Sequence, residues 1–312
     1  MPFSPSRLRI GAIAALWLLA PAPAGAQAFT PPEGVGSVTL SWQFVDNTGH
    51  RFTDGFFLAR GESHTTSLLF DIDYGVTERL AVNASLPYVF ARYTGAFPPF
   101  SGLPRDQCRC WDSSFQDLSV SARYRFGDRA WAVTPLVRYS HPSHNYPFRG
   151  EAVVGRNLRE LQIGVSSAVR LPGVLSKASL GGTYLYAVVE KPLKSISVNR
   201  TNGVLDFGYA VNRRLYVRGS GNWQRTHGGL RGGSTTGNPF FLPGEFSPVG
   251  SERAQQRDRL QRSHYWQAGG GASYSLGEVD IFASFMKYVW GRDAHNGRVY
   301  TTGVSWYFDL SQ

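Results

Sequence analysis

The sequence predicts an all-β protein: a transmembrane, antiparallel, up-and-down β-barrel of about twelve strands with both termini in the periplasm. Three observations predict this class: apolar and polar side chains alternate in twelve runs, short turns alternate with long connections, and the composition is unusual for a soluble domain. Of 312 residues, 35 are glycine, 14% are aromatic and 17% are charged, whereas about 25% are charged in soluble domains. The mean hydropathy of −0.23 argues against a helical membrane protein.

Alternation with period 2 is typical of strands whose two faces meet different environments. In the clearest run Leu68, Phe70 and Ile72 share one face, and Asp71 and Asp73 share the other. The twelve runs have lengths that suit tilted transmembrane strands. They are 38–46, 68–76, 80–88, 118–126, 131–140, 158–171, 178–189, 203–212, 215–224, 264–275, 279–289 and 299–309.

Short turns and long connections alternate between these strands. The short turns are 76–79, 126–129, 211–214 and 276–278, with a slightly longer one at 171–177. The long connections are 47–64, 91–115, 142–157, 190–201, 225–262 and 290–298. Outer-membrane barrels have short periplasmic turns and long extracellular loops, so 225–262 is predicted to be a long extracellular loop. A secreted β-sandwich explains the alternation but not this asymmetry.

Aromatic residues are predicted to form girdles at both membrane interfaces. Four tyrosines each lie two residues before the apolar residue that begins a short turn, which predicts the periplasmic girdle: Tyr74, Tyr124, Tyr209 and Tyr274. A second set predicts the extracellular girdle: Trp42, Tyr88, Tyr139, Tyr186, Trp223, Trp266 and Tyr288.

Residues 1–28 have the pattern of a secretory signal peptide. Arg7 and Arg9 precede an apolar run at 10–20, which is too short to span a bilayer as a helix, and A-x-A sites end at Ala26 and Ala28. A retained anchor helix is the alternative. We expect Sec-type export, with residues 29–312 forming a barrel in the outer membrane of a Gram-negative bacterium.

Polar side chains on the inner face are predicted to line the lumen. They are Asp71, Asp73, Asn83, Arg123, Arg125, Arg138, Glu160 and Arg218. Opposed aspartates and arginines would set a transverse field, as in selectivity zones built from charged side chains. Alternatively, the same residues pair with each other and close the lumen, since buried ions need partners. The sequence leaves both interpretations open.

Two further local patterns are informative. Thr301, Gly303, Trp306 and Phe308 resemble the C-terminal signal read by the barrel-assembly machinery, although the chain continues beyond Phe308. The two cysteines, Cys108 and Cys110, would meet an oxidising compartment. A local disulfide is the favoured interpretation, because two thiols are too few for a zinc site. We expect neither a metal site nor a cofactor.

Two stretches carry a family resemblance: 71–87 (DIDYGVTERLAVNASLP) and 116–126 (QDLSVSARYRF). They resemble barrels of the phenol-degradation meta-pathway family, and the resemblance covers roughly 36–312. It implies a passive channel or transport protein for small, hydrophobic or aromatic solutes, without catalytic residues to carry over. The partners expected are outer-membrane lipid and lipopolysaccharide, the barrel-assembly machinery and a small-molecule solute. Nucleic acid is not expected, because the chain has no basic stripe.

Two alternatives to a channel remain. His141 and Ser143, with Asn157 on the next strand, resemble outer membrane phospholipase A, in which a histidine acts as base and a serine as nucleophile. Pro142 between the pair and His144-Asn145 after it depart from that pattern, so the chain is not expected to be an enzyme. The other alternative is a closed, structural or loop-binding barrel.

Overall fold

The computed structural model describes residues 28–95, 103–128, 130–231 and 252–311. The predicted signal segment up to Gln27 and the middle of the predicted extracellular loop, 232–251, lie outside these residues. Four short helical segments are described: Pro104–Gln107, Gly173–Leu175, Glu252–Gln255 and Arg257–Leu260. No helix in the described ranges is long and apolar enough to cross a membrane.

The described residues form twelve strands, which confirms the predicted number. The first six are β1 (Val35–Arg51), β2 (Phe57–Gly75), β3 (Leu80–Tyr93), β4 (in three pieces, Asp112–Phe115, Asp117–Tyr124 and Phe126–Gly127), β5 (Trp131–Pro142) and β6 (Glu160–Arg170). The last six are β7 (Ala178–Val189), β8 (Val198–Ala210), β9 (Leu215–Gly228), β10 (His264–Ser275), β11 (Val279–Arg292) and β12 (Ala294–Asp309).

The sheet closes on itself. Each strand pairs antiparallel with its neighbour in sequence, and β12 pairs with β1 from Val35 opposite Asp309 to Arg51 opposite Ala294. Closure leaves no sheet edge unpaired, which is what a strand-built protein needs in lipid. The chain is therefore a closed, transmembrane, antiparallel β-barrel, and β1 begins at the same end of the barrel at which β12 finishes.

The two faces of the barrel wall differ as the alternation predicts. In β5, Trp131, Val133 and Val137 are 40–48% exposed, whereas Ala132 and Thr134 are at most 1% exposed. The large apolar side chains therefore point outward, and the polar or small ones point into the barrel. Exposed apolar side chains over a whole sheet face are expected where the surrounding solvent is hydrocarbon.

Three of the short turns are held by the same device. A side-chain oxygen within the turn accepts two backbone N–H groups: Thr77 from Arg79 and Leu80, Asp128 from Ala130 and Trp131, and Asn212 from Arg214 and Leu215. Thr, Asp and Asn are favoured in tight turns for this reason. Because Asp128 accepts these bonds as a charged group, its pKa lies below the usual value.

Several strands are longer than predicted at the end of the barrel opposite the short turns. Positions 47–64 were predicted to be a long connection, but β1 and β2 pair as far as Arg51 opposite Phe57. Likewise, β11 and β12 fill most of 290–298. Asp293 lies between them with a left-handed backbone conformation, at a φ of 51°. Here the strands extend beyond the apolar band, so both faces meet water or loops and the alternation weakens although the hydrogen bonding continues.

The girdle prediction was wrong for Tyr288. Tyr288 lies on the inner face of β11 by plain alternation: it shares the parity of Asp280, which is 4% exposed, and is itself 6% exposed, whereas Phe285 points outward and is 38% exposed. Val289 and Trp290, which are 62% and 48% exposed, take the outward positions. The register shift between β10 and β11 comes after Tyr288, so it turns Trp290 outward and does not set the direction of Tyr288.

Candidate functional site: the lumen and its two ends

At the end of the barrel where the short turns lie, the segment before β1 occupies the lumen. Ala28 is completely buried with Ala132 and Ala168, and its carbonyl oxygen accepts a hydrogen bond from Oγ1 of Thr134. Phe29 lies under the guanidinium of Arg170, 5.6 Å from ring centroid to Cζ. Since β5 and β6 lie far around the wall from β1, the segment crosses the barrel and narrows this end. No pattern in the sequence predicts this contact.

The middle of the lumen is lined mainly by small polar side chains. Serines and threonines of neighbouring strands are hydrogen-bonded there: Thr39 to Ser305 (2.7 Å) and Ser166 to Thr183 (2.9 Å). Short hydroxyl side chains leave more space along the axis than aromatic or aliphatic ones do. They also supply both donors and acceptors to a passing solute.

On the inner wall, two ion pairs each join side chains of two strands that are separated by one intervening strand. Both terminal nitrogens of Arg123 donate to the carboxylate of Asp73, at 2.7 and 2.6 Å. Arg200 donates to Glu160, whose side chain is 6% exposed. These four charges on the inner wall are therefore neutralised in pairs, as in the interpretation that lumen residues pair with each other.

Other predicted lumen residues are not paired in this way. Arg138 and Arg218 have no hydrogen bond or ion pair with any residue in the described ranges, and Arg125 donates to the backbone oxygen of Glu78 at 2.8 Å. Asn83 donates to the backbone oxygen of Ile72 at 3.0 Å, and Asp71 interacts with Ser85. The lumen thus combines ion pairs with two arginines that no carboxylate neutralises directly.

Two loops pack into the other end of the barrel, and we call them together the cap. One is 143–159, from which Tyr146, Ala152 and Val154 pack on the inner face of β3. The other is 252–263, in which Leu260 is completely buried. The last residues of the predicted loop 225–262 therefore lie inside the barrel mouth.

Polar contacts join the two parts of the cap. The backbone N–H of Gly150 donates to Asp258 at 3.1 Å, and the guanidinium of Arg257 lies 3.7 Å from Glu151. Arg259 donates to the backbone oxygen of Arg156 at 2.9 Å. Burial and the nearby charge of Arg200 lower the pKa of Arg156 to about 10. These contacts hold the two loops of the cap together inside the barrel mouth.

A cavity of about 280 Å³ lies between the cap and the strand ends. Two of its lining residues, His50 and His295, are in edge-to-face ring contact with their centroids 5.0 Å apart, and Nε2 of His50 lies 3.3 Å from Nε2 of Gln261. Arg262 closes one side through an ion pair with Asp293 at 3.0 Å. A polar cavity of this size holds a few water molecules or a small solute.

The structure does not assemble the residues of the acyl-hydrolase alternative. Nδ1 of His141 lies 2.6 Å from the backbone oxygen of Pro142, and Ser143 contacts His144 instead, at 2.9 Å. Asn157 is buried and donates to Asn145 and to the backbone oxygen of Tyr146. The Asn157 amide thus orients neither His141 nor His144, although the third residue of such a triad has to orient the histidine.

The remaining predicted residues lie in two other parts of the barrel. Cys108 and Cys110 are joined by a disulfide bond just after the helix Pro104–Gln107. Thr301, Gly303, Trp306 and Phe308 belong to β12, the strand that closes the barrel against β1. The rings of Trp306 and Phe308 are 5.9 Å apart, and the ring of Phe282 fills the space above Gly303.

The comparisons with known proteins agree with this architecture. No protein family matches the sequence, and no curated protein does. The chain is similar in structure to the COG4313 outer membrane channel from Pseudomonas putida F1, with 13% identity, 90% of this chain and 98% of that chain covered, and a TM-score of 0.64. It is also similar to the translocator domain of the autotransporter NalP from Neisseria meningitidis, with 14% identity, 89% and 90% covered, and a TM-score of 0.50. At these identities the likeness concerns the fold.

Proposed function

We propose that this barrel is a passive channel for small solutes in the outer membrane of a Gram-negative bacterium. The observation that carries the proposal is the lining of the lumen: small hydroxyl side chains, and two arginines, Arg138 and Arg218, that have no hydrogen bond or ion pair within the described residues. Arg138 and Arg218 are half-buried, and Asp71 and Asp206 are the carboxylates that interact with them without a direct ion pair. Selectivity zones of channels are built from charged side chains that line the passage in this way.

The fold comparison also supports the proposal of a channel, since one of the similar structures is described as an outer membrane channel. The specific family predicted from 71–87 and 116–126, and the hydrophobic or aromatic solutes that it implies, remain part of the proposal. The polar middle of the lumen favours solutes that make hydrogen bonds, so both solute types belong in the test.

The experiment is conductance in planar bilayers together with swelling of liposomes that contain purified, folded protein. The swelling solutes are a small sugar, a small amino acid and a monocyclic aromatic acid. We expect ion conductance and swelling with at least one of the three. A variant that lacks 29–32, part of the segment that narrows one end of the lumen, is measured beside the wild type. If neither protein conducts ions nor admits a solute, the barrel is not a channel.

A further inference from the structure

A row of five polar side chains crosses the outward face of five adjacent strands, and we call it the outward charged row. The strand register places the five directly side by side, one on each strand: Arg92, His64, Asp46, Arg298 and Lys287. Their direction follows from the alternation, since Tyr300 and Phe285, two residues away on β12 and β11, are 40% and 38% exposed.

Two cations at one end of this row are direct cross-strand neighbours. Lys287 lies opposite Arg298, and both side chains are exposed. Side chains in this relationship have Cβ atoms about 4.5–5.5 Å apart, and like charges so placed repel each other. Asp46 is in contact with His64 at 3.3 Å, and neither Lys287 nor Arg298 has an ion pair or hydrogen bond within the described part of the chain. Asp46 is the other cross-strand neighbour of Arg298, but its carboxylate contacts His64, so no anion lies between the two positive charges.

The row also marks the edge of the apolar band. An outward-facing Arg or Lys is destabilising at the middle of a bilayer and close to neutral at its interface. Directly beside the row lies an aromatic cluster, in which the ring of Tyr300 is 5.0 Å from Phe285 and 6.3 Å from Phe44. Trp306 follows Arg298 by eight residues, roughly 21 Å along the membrane normal for a tilted strand. The row therefore lies at headgroup level on the side opposite the short turns.

We propose that Lys287 and Arg298 bind a phosphate group of a phosphorylated lipid in the outer leaflet, the lipid A portion of lipopolysaccharide. A guanidinium presents paired donors to phosphate, and an ammonium adds a point charge, so the two together neutralise a phosphate that carries more than one negative charge. Its acyl chains would lie along Phe285, Tyr300 and Phe44. This site is on the outside of the barrel and does not depend on the channel proposal.

The test is binding of lipid to the folded protein in detergent, followed by native mass spectrometry. The probes are bisphosphorylated lipid A, its fully dephosphorylated form, and inorganic pyrophosphate as the free anion. The variant is Lys287→Gln with Arg298→Gln, and the matched control is Arg213→Gln with Arg214→Gln, which removes two exposed cations from a short turn at the other end. We expect the first variant to bind lipid A about tenfold more weakly and the control to bind like the wild type.

Folding is checked by the shift in gel mobility on heating that folded barrels show, and Lys287→Arg serves as a second variant that keeps the charge and is expected to retain binding. Three results would overturn the proposal. They are equal binding of lipid A by the first variant and the control, equal binding of the dephosphorylated lipid, and pyrophosphate binding as tight as that of lipid A, which would make a free anion the ligand.

Discussion

Arg123 and Asp73 form a two-point ion pair across an intervening strand of the barrel. The two nitrogens of the guanidinium donate to the two oxygens of the carboxylate, at 2.7 and 2.6 Å. Arg123 lies on β4 opposite Ala81, and Asp73 lies on β2 opposite Asn83, so β3 separates them. The inward curvature of the wall brings the two side chains together over the buried Ala81.

This pair is expected to stabilise the barrel only while both partners are present. Arg123→Gln leaves the Asp73 carboxylate without its partner, and we expect a loss of about 3 kcal/mol in the free energy of unfolding. The double variant with Asp73→Asn should lose clearly less than the two single variants combined. Unfolding in urea, followed by tryptophan fluorescence in detergent, measures the three values. Strictly additive losses would show that the pair contributes no coupling energy.

The segment before β1 is expected to limit conductance. Phe29→Ala with Thr134→Val removes the ring under Arg170 and the hydrogen bond to the Ala28 carbonyl, so the segment should leave the lumen more often. Single-channel recordings should then show a larger mean conductance or longer open periods. Phe126→Ala, which removes an outward ring that is 52% exposed, is the control. Unchanged conductance in the first variant would contradict the narrowing role.

The cap is expected to open when its main apolar anchor is shortened. Leu260 is completely buried, and replacement of such a leucine by alanine costs about 2–5 kcal/mol. Because Leu260 belongs to a loop, the loss should fall on cap closure rather than on the barrel. We expect faster proteolysis near 252–262 and a higher conductance, with Leu276→Ala, at a 57% exposed turn position, behaving like the wild type. Equal proteolysis of both variants would exclude this function of Leu260.

The structure also distinguishes the two predicted cleavage sites. Cleavage after Ala26 keeps Ala28, whose buried side chain and carbonyl contact β5 and β6, whereas cleavage after Ala28 removes these contacts. We therefore expect the exported chain to begin at Gln27. The intact mass of the protein purified from outer membranes decides between the sites, and a chain that begins at Phe29 would contradict this expectation.

Ser143 is expected to have no role in hydrolysis. Its hydroxyl contacts His144 and the backbone oxygen of Phe115 rather than His141. The wild type and Ser143→Ala should therefore release no fatty acid from phospholipid or lipopolysaccharide above the background of empty liposomes. Release by the wild type that is lost in the variant would restore the acyl-hydrolase alternative.

The sequence predicted the barrel well because strand alternation is a local pattern that repeats. The outward Phe70 and Ile72, 55% and 48% exposed, and the inward Asp71 and Asp73 lie as predicted. The prediction failed for Tyr288, which has the inward parity of Asp280, and for the ends of β1 and β2. At those strand ends the hydrogen bonding between strands continues while the contrast between the two faces fades.

What the sequence alone determined is the class of fold, its strand number and the direction of most side chains, because a chain in lipid must pair every backbone group and keep charges off the apolar face. Which charges pair, and what fills the two ends, was decided only by the tertiary structure. Arg123 binds Asp73 and Thr134 binds the Ala28 carbonyl, over separations of 50 residues or more. Leu260 packs against the inner wall. Contacts of this kind depend on curvature and closure, which no local pattern of residues records.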